Sequence, residues 1–137
     1  MQWRGPLVGG TGTIELSSSG QATFDYSLAT RAADSASSTS PEELLAAAYA
    51  SCYAMQLAAL LDPGADHPPQ LKVEATVTQG GPEVDFGIVH IELIVRGREI
   101  ERTNEQFAEL AQTASSICPI GRALSTVEIR VDAAVDH

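Results

Sequence analysis

Four stretches of this chain alternate apolar and polar residues with the period of two that a half-buried strand requires. In Ala22–Leu28 the apolar set is Ala22, Phe24, Tyr26 and Leu28, with Thr23, Asp25 and Ser27 between them. Leu71–Thr78 sets Leu71, Val73, Ala75 and Val77 against Lys72, Glu74, Thr76 and Thr78. In Val89–Arg96, Val89, Ile91, Leu93 and Val95 oppose His90, Glu92 and Arg96, with Ile94 out of phase. Val127–Val135 is apolar at its odd positions, with Glu128, Arg130 and Asp132 facing out. A weaker strand is predicted over Thr11–Leu16, after the Gly9-Gly10 turn. One apolar face per strand implies antiparallel pairing with helices over that face. Gly80-Gly81-Pro82 marks a hairpin turn, and Ala32–Thr39 reads as a loop.

Two segments break this period. Ser40-Pro41-Glu42-Glu43 is a helix start in three parts: a capping serine, a proline suited to the first helical position, and Glu43 to close a capping box. The helix then runs to about Leu61 and stops at Asp62-Pro63-Gly64. A second helix is predicted over Asn104–Ser116, broken near Pro119 and resuming through Leu124. The order β-β-α-β-β-α-β predicts one α+β domain over residues 1–137. Leu44–Leu61 is apolar on every side and long enough to span a bilayer. Its flanks, Glu42, Glu43 and Asp62, carry no Lys/Arg bias, so the reading is a buried core helix and no membrane association. One sheet and one short helix cannot cover all of its faces. A second copy of the chain is the natural source of the missing cover, which predicts a homodimer packed around this helix.

Composition narrows the function. The formal net charge is −10, with a single lysine, Lys72. That excludes the clustered cations that nucleic acid or an anionic membrane surface demands. The N-terminus has no basic-then-apolar leader, which predicts a cytoplasmic protein. No Cys-x-x-Cys is present, and the histidines, His67, His90 and His137, lack partners at ligand spacing, so no metal or other cofactor is expected.

The chemistry then rests on two cysteines, Cys52 and Cys118. In the cytoplasm a cysteine pair is more often catalytic or redox-sensing than structural. Taken alone, Cys52 lies deep in the apolar helix, too far from its cap for the dipole to act, and reads as a small buried hydrophobe. Cys118 precedes Pro119, a natural first helical residue, so it falls at a helix N-terminus with Arg122 one turn on. Physics alone makes Cys118 the more acidic thiol. Whether the two sulfurs meet is not readable from spacing.

Thr39-Ser-Pro-Glu-Glu-Leu-Leu-Ala-Ala-Ala-Tyr-Ala-Ser-Cys-Tyr53 resembles the signature of the OsmC/Ohr peroxiredoxins, Thr-Asn/Ser-Pro-Glu-Glu/Gln-Leu, small residues, then Ala-Cys. Cys118-Pro-Ile-Gly-Arg-Ala-Leu124 is similar to the second signature, Cys-Pro-Val-Ser-Lys-Ala-Leu, and sits closer to OsmC than to Ohr. Trp3-Arg-Gly5 and Gly10-Thr-Gly-Thr13 match the first hairpin of the OsmC type. The resemblance implies an intertwined homodimer of antiparallel sheets around a long buried central helix, with active sites at the subunit interface. It implies reduction of hydroperoxides, organic ones especially. Cys52 would be the peroxidatic thiol and Cys118 the resolving thiol, forming a disulfide that an external dithiol, lipoyl- or thioredoxin-like, reduces. Glu42 matches the active-site glutamate; as a first-turn acid it also suits the helix dipole without any catalytic role.

One departure stands out. The family carries an arginine just before Gly-x-Gly-Thr, where this chain has Val8-Gly9. Arg31 is the first substitute candidate to stabilise the thiolate and Arg4 the second, each with a plain surface charge as its bland reading. The rival function is a protein of the same fold that binds a small apolar molecule or senses redox state, with weak or no peroxidase activity because its dithiol is slow or idle for want of that arginine.

Overall fold

The computed structural model of the chain describes residues 1–33, 37–61 and 69–136. They form two compact units, Met1–Leu44 and Leu45–His137. In the first, β1 (Gln2–Arg4), β2 (Thr11–Glu15) and β3 (Thr23–Tyr26) make an antiparallel sheet in the order β1-β2-β3. The strand that looked weakest in the sequence is therefore the centre of this sheet. Periodicity did not show β1, because three residues are too few to display a period; only the resemblance of Trp3-Arg-Gly5 to a first hairpin pointed to it. Gly12 of β2 pairs with Trp3 on one side and Tyr26 on the other, whose ring centroids lie 5.5 Å apart. A Cβ at Gly12 would collide with the Tyr26 ring and stand 2.8 Å from the Trp3 ring. Gly12→Ala is therefore expected to destabilise this hairpin by about 1–3 kcal/mol, read from a denaturant midpoint at unchanged slope.

After β3 a short helix, α1 (Leu28–Arg31), is held by a reciprocal capping box between Ser27 and Thr30. It was not expected, and it moves Arg31 from a loop to the last residue of a helix. The long helix α2 (Pro41–Leu60) starts where the sequence places it. Ser40 Oγ accepts the Glu43 N–H at 3.1 Å, but the Glu43 carboxylate takes the Thr39 hydroxyl at 2.6 Å, so only one limb of the predicted capping box is used. The stop signal Asp62-Pro63-Gly64 lies outside the described residues.

The second unit pairs β4 (Gln70–Gln79) with β5 (Ile88–Arg98) antiparallel, and β5 with β6 (Glu128–Val135) parallel. The parallel pair departs from the antiparallel expectation. Between β5 and β6 the chain passes through α3 (Asn104–Ile117) and α4 (Pro119–Ala123), the crossover that a parallel neighbour requires. A register shift at Thr78/Gln79 leaves Val89 38% exposed, so the inward set of β5 is Ile91, Leu93, Val95 and Gly97 rather than one starting at Val89.

Ile91, Leu93 and Val95 pack with Tyr49, Tyr53 and Leu57 of α2, Phe107 and Ala114 of α3, and Cys118. The Tyr53 hydroxyl donates to the Ala111 carbonyl at 2.9 Å, and burial raises its pKa far enough to keep the donor proton in place. Tyr53→Phe is expected to cost about 1 kcal/mol in equilibrium unfolding.

α2 is long and apolar enough to cross a membrane by length and composition. Within one copy it buries one face, Ala46, Tyr49, Tyr53 and Leu57, as expected of a helix that one sheet and one short helix cannot cover alone. Ala47, Ala48, Ser51, Met55, Ala58 and Ala59 form an exposed stripe of small and apolar residues.

Candidate active site

The second unit brings the two cysteines together. Cys52 is half-buried on α2, and Cys118 is fully buried at the corner between α3 and α4. Local chemistry builds that corner. Pro119 forces the preceding residue out of the helical region, and Cys118 has φ −58° and ψ 126°. The Cys118 N–H still closes α3 on the Ala114 carbonyl at 3.0 Å, while its own carbonyl accepts the Arg122 N–H at 2.9 Å and opens α4. The Cys118 thiol donates to the Cys52 sulfur, Sγ to Sγ 2.9 Å.

Burial, then the hydrogen bond to Cys52, pushes the Cys118 thiol above its ordinary pKa. The Gly121 and Ile120 amides at the start of α4 oppose this without closing a capping hydrogen bond to the sulfur. The expectation that Cys118 is acidified by its helix N-terminus is thus reversed: desolvation outweighs two amide dipoles. Arg122, expected to add charge, is exposed and lines an outer groove with Ser115, Ser116 and Ser125.

In the first unit, Arg31 Nε donates to both carboxylate oxygens of Glu42 at 3.1 Å, and Nη2 to Oε1 at 2.5 Å. The Glu42 side chain is only 14% exposed. Burial pushes its carboxyl up, but the Arg31 hydrogen bonds, with help from a backbone amide and the guanidinium charge, prevail and hold its pKa below the usual carboxylate range. Arg4 makes no ion pair among the described residues. Beside Arg31 lies an apolar pocket of about 200 Å³, lined by Trp3, Leu7, Tyr26, Leu28 and Pro41. The alternation in the sequence had assigned Tyr26 and Leu28 to a core face; nothing in it pointed to a pocket. Among the described residues, no three His, Cys, Asp or Glu side chains are grouped as a metal site would need.

A family model described as OsmC-like protein matches residues 34–133, well over half of the chain. The chain belongs to this OsmC family. It is 29% identical over 134 residues to the peroxiredoxin OsmC of Escherichia coli, spanning 95% of this chain and 90% of that protein. The organic hydroperoxide resistance protein OhrB of Bacillus subtilis has a similar structure, with a TM-score of 0.73 and 26% identity over 96% of this chain and 94% of that one. An OsmC-like protein from Mycoplasma pneumoniae shares the fold, with a TM-score of 0.61 at 17% identity over 93% and 96% of the two chains.

Where the resemblance implies a hairpin arginine, this chain has a turn shaped around glycine. Gly9 sits at φ 85°, a conformation that disfavours side chains. At Gly10 a Cβ would stand 2.7 Å from the Trp3 ring and 2.9 Å from the Arg4 carbonyl. The turn into β2 is built for glycine.

Proposed function

We propose that the protein is a peroxiredoxin-type hydroperoxide reductase that works as a homodimer, with the whole chain acting as one domain. The observation that carries this reading is the 2.9 Å approach of a half-accessible sulfur to a buried one that donates to it. Cys52 is the partly exposed cysteine and Cys118 the fully buried one, so a peroxide meets Cys52 first: Cys52 is the nucleophile and Cys118 its partner.

In the first step the Cys52 thiolate attacks the distal peroxide oxygen. The O–O bond breaks, Cys52 becomes a sulfenic acid, and the alkoxide leaves and is protonated to the alcohol. In the second step Cys118 attacks the sulfenic sulfur, the S–O bond breaks, and one water leaves as the disulfide forms. An external dithiol then transfers two electrons and two protons to the disulfide and is itself oxidised. No metal or organic cofactor takes part in this scheme.

Arg31 and Glu42 are proposed to supply the positive charge that favours the thiolate, in place of the hairpin arginine. Glu42 precedes Cys52 by ten residues in one helix, about 15 Å along its axis. A pair serving Cys52 therefore comes from a second copy. The exposed stripe of small residues on α2, which suits close helix approach, supports that arrangement. The apolar pocket beside Arg31 favours organic hydroperoxides over hydrogen peroxide, because an alkyl group gains free energy there by leaving water.

Mixing the reduced protein with one equivalent of an organic hydroperoxide tests the reading. Loss of both thiols, with a mass two hydrogens lower and no added oxygen, is expected within seconds. Thiols that persist for minutes under excess peroxide overturn it.

A further inference from the structure

Tyr49 is fully buried on α2, one turn before Cys52. Its hydroxyl meets Ser115 Oγ at 2.9 Å. Ser115 stands three residues before Cys118, in the last turn of α3. Three residues after Cys118 stands Gly121, buried in the first turn of α4. A Cβ at Gly121 would lie 2.8 Å from the Tyr49 hydroxyl oxygen and 2.6 Å from the Ser115 carbonyl oxygen. The phenol head is thus wedged into the angle between α3 and α4, against residues placed symmetrically on either side of Cys118.

Besides the phenol head, the angle is held by the core packing of Cys118, with Ile120 and Leu124 against that core. Cys118 is not helical, Pro119 offers no N–H, and the backbone bonds through Cys118 itself are the two already described, to Ala114 and from Arg122. Gly121 also stands where the second signature of the family has serine, so the fit of the tyrosine head depends on a feature of this chain. Burial, its largest influence, raises the Tyr49 pKa and keeps the phenol protonated.

We propose that Tyr49 is a positioning residue for disulfide formation, its buried head bracing the α3–α4 corner so that Cys118 Sγ is held at Cys52 Sγ. Because Tyr49 shares a helix with Cys52, a single side chain references both sulfurs. The inference rests on the reading of Cys52 and Cys118 as peroxidatic and resolving thiols. It assigns Tyr49 to the second step alone: Cys118 S–H meets Cys52 S–OH, the S–S bond forms, the S–O bond breaks, and water leaves. Such a condensation depends steeply on how closely the two sulfurs are held.

The test compares wild type with Tyr49→Phe, Ser115→Ala and Gly121→Ser. Cys52 sulfenic acid is trapped by dimedone at timed intervals after one equivalent of organic hydroperoxide, and the disulfide is followed by mass. In Tyr49→Phe the sulfenic acid is expected to form at nearly the wild-type rate but to persist about 10-fold longer, the scale of a lost positioning contact. Excess peroxide should then carry Cys52 on to the sulfinic acid. Ser115→Ala should show the same split, and Ser115→Thr should restore wild-type behaviour. Gly121→Ser, which displaces the phenol head, should show it more strongly.

A second readout needs no peroxide. The dithiol–disulfide equilibrium in glutathione buffers should shift about 10-fold toward the dithiol in Tyr49→Phe. A sulfenic-acid lifetime and a glutathione equilibrium both at wild-type values would overturn the proposal. So would an equal slowing of both steps, the mark of a general loss of fold. If wild-type Cys52 is not oxidised at all, the peroxidase reading fails, while the glutathione equilibrium still decides the brace.

Discussion

Cys52→Ser is expected to reduce hydroperoxide consumption by at least about 10³-fold, the scale on which losing a catalytic nucleophile acts. A serine hydroxyl in that position is scarcely ionised near neutral pH and is a far poorer nucleophile toward peroxide oxygen. Cys118→Ser should behave differently. Its first turnover should proceed, leaving a sulfenic acid at Cys52 that dimedone captures, and turnover with a dithiol should then depend on direct attack by the reductant. Stopped-flow peroxide consumption for both variants, with mass analysis of the products, separates the roles. A Cys52→Ser protein that still consumes peroxide with loss of the Cys118 thiol would exchange them. The geometry favours the assignment given: Cys52 is the sulfur that solvent reaches, and Cys118 is fully buried and pushed toward its neutral form.

Arg31→Ala is expected to slow the first step by about 100-fold, the scale of losing a charge-assisted contact to a developing anion. The dimer reading makes a sharper claim. Co-expressed Arg31→Ala and Cys52→Ser chains should recover about a quarter of wild-type activity. Half of the dimers are then mixed, and in each of these one of two sites joins an intact Cys52 to an intact Arg31 from the other copy. No recovery would place the pair and the thiol in the same chain.

The pH dependence of the pair has a definite sign. Glu42 has a lowered folded pKa, so its contribution to stability is present above the ordinary carboxylate pKa and lost as pH falls through the folded value. The melting-temperature gap between wild type and Glu42→Gln should therefore be open at neutral pH and close in acid. A gap that widens on acidification would contradict the ion pair.

Much of the fold was legible. The period of two located β3, β4, β5 and β6 to within a few residues, because each strand hides one face only. Ser40-Pro41 and Cys118-Pro119 marked the starts of α2 and α4, because proline constrains its own φ and the residue before it. Two elements were too short to carry a period: β1, to which only the resemblance of Trp3-Arg-Gly5 to a first hairpin pointed, and α1, which escaped altogether and with it the position of Arg31. The parallel pairing of β6 escaped because alternation states which face is apolar, not which neighbour a strand joins.

The cysteines divide along the same line. Residue order and local motif sufficed to single out Cys52 and Cys118, and to place one inside a helix and the other at a break before a proline. Those are consequences of short-range sterics, which a linear sequence carries. Their 2.9 Å approach and the raised pKa of Cys118 are not, and neither is the wedging of Tyr49 between Ser115 and Gly121. Each depends on how α2 packs against α3 and α4, across 66 residues of chain. Desolvation there overrode the helix-terminus argument that the sequence offered for Cys118, because burial is a property of the whole packed unit and the dipole of only one turn.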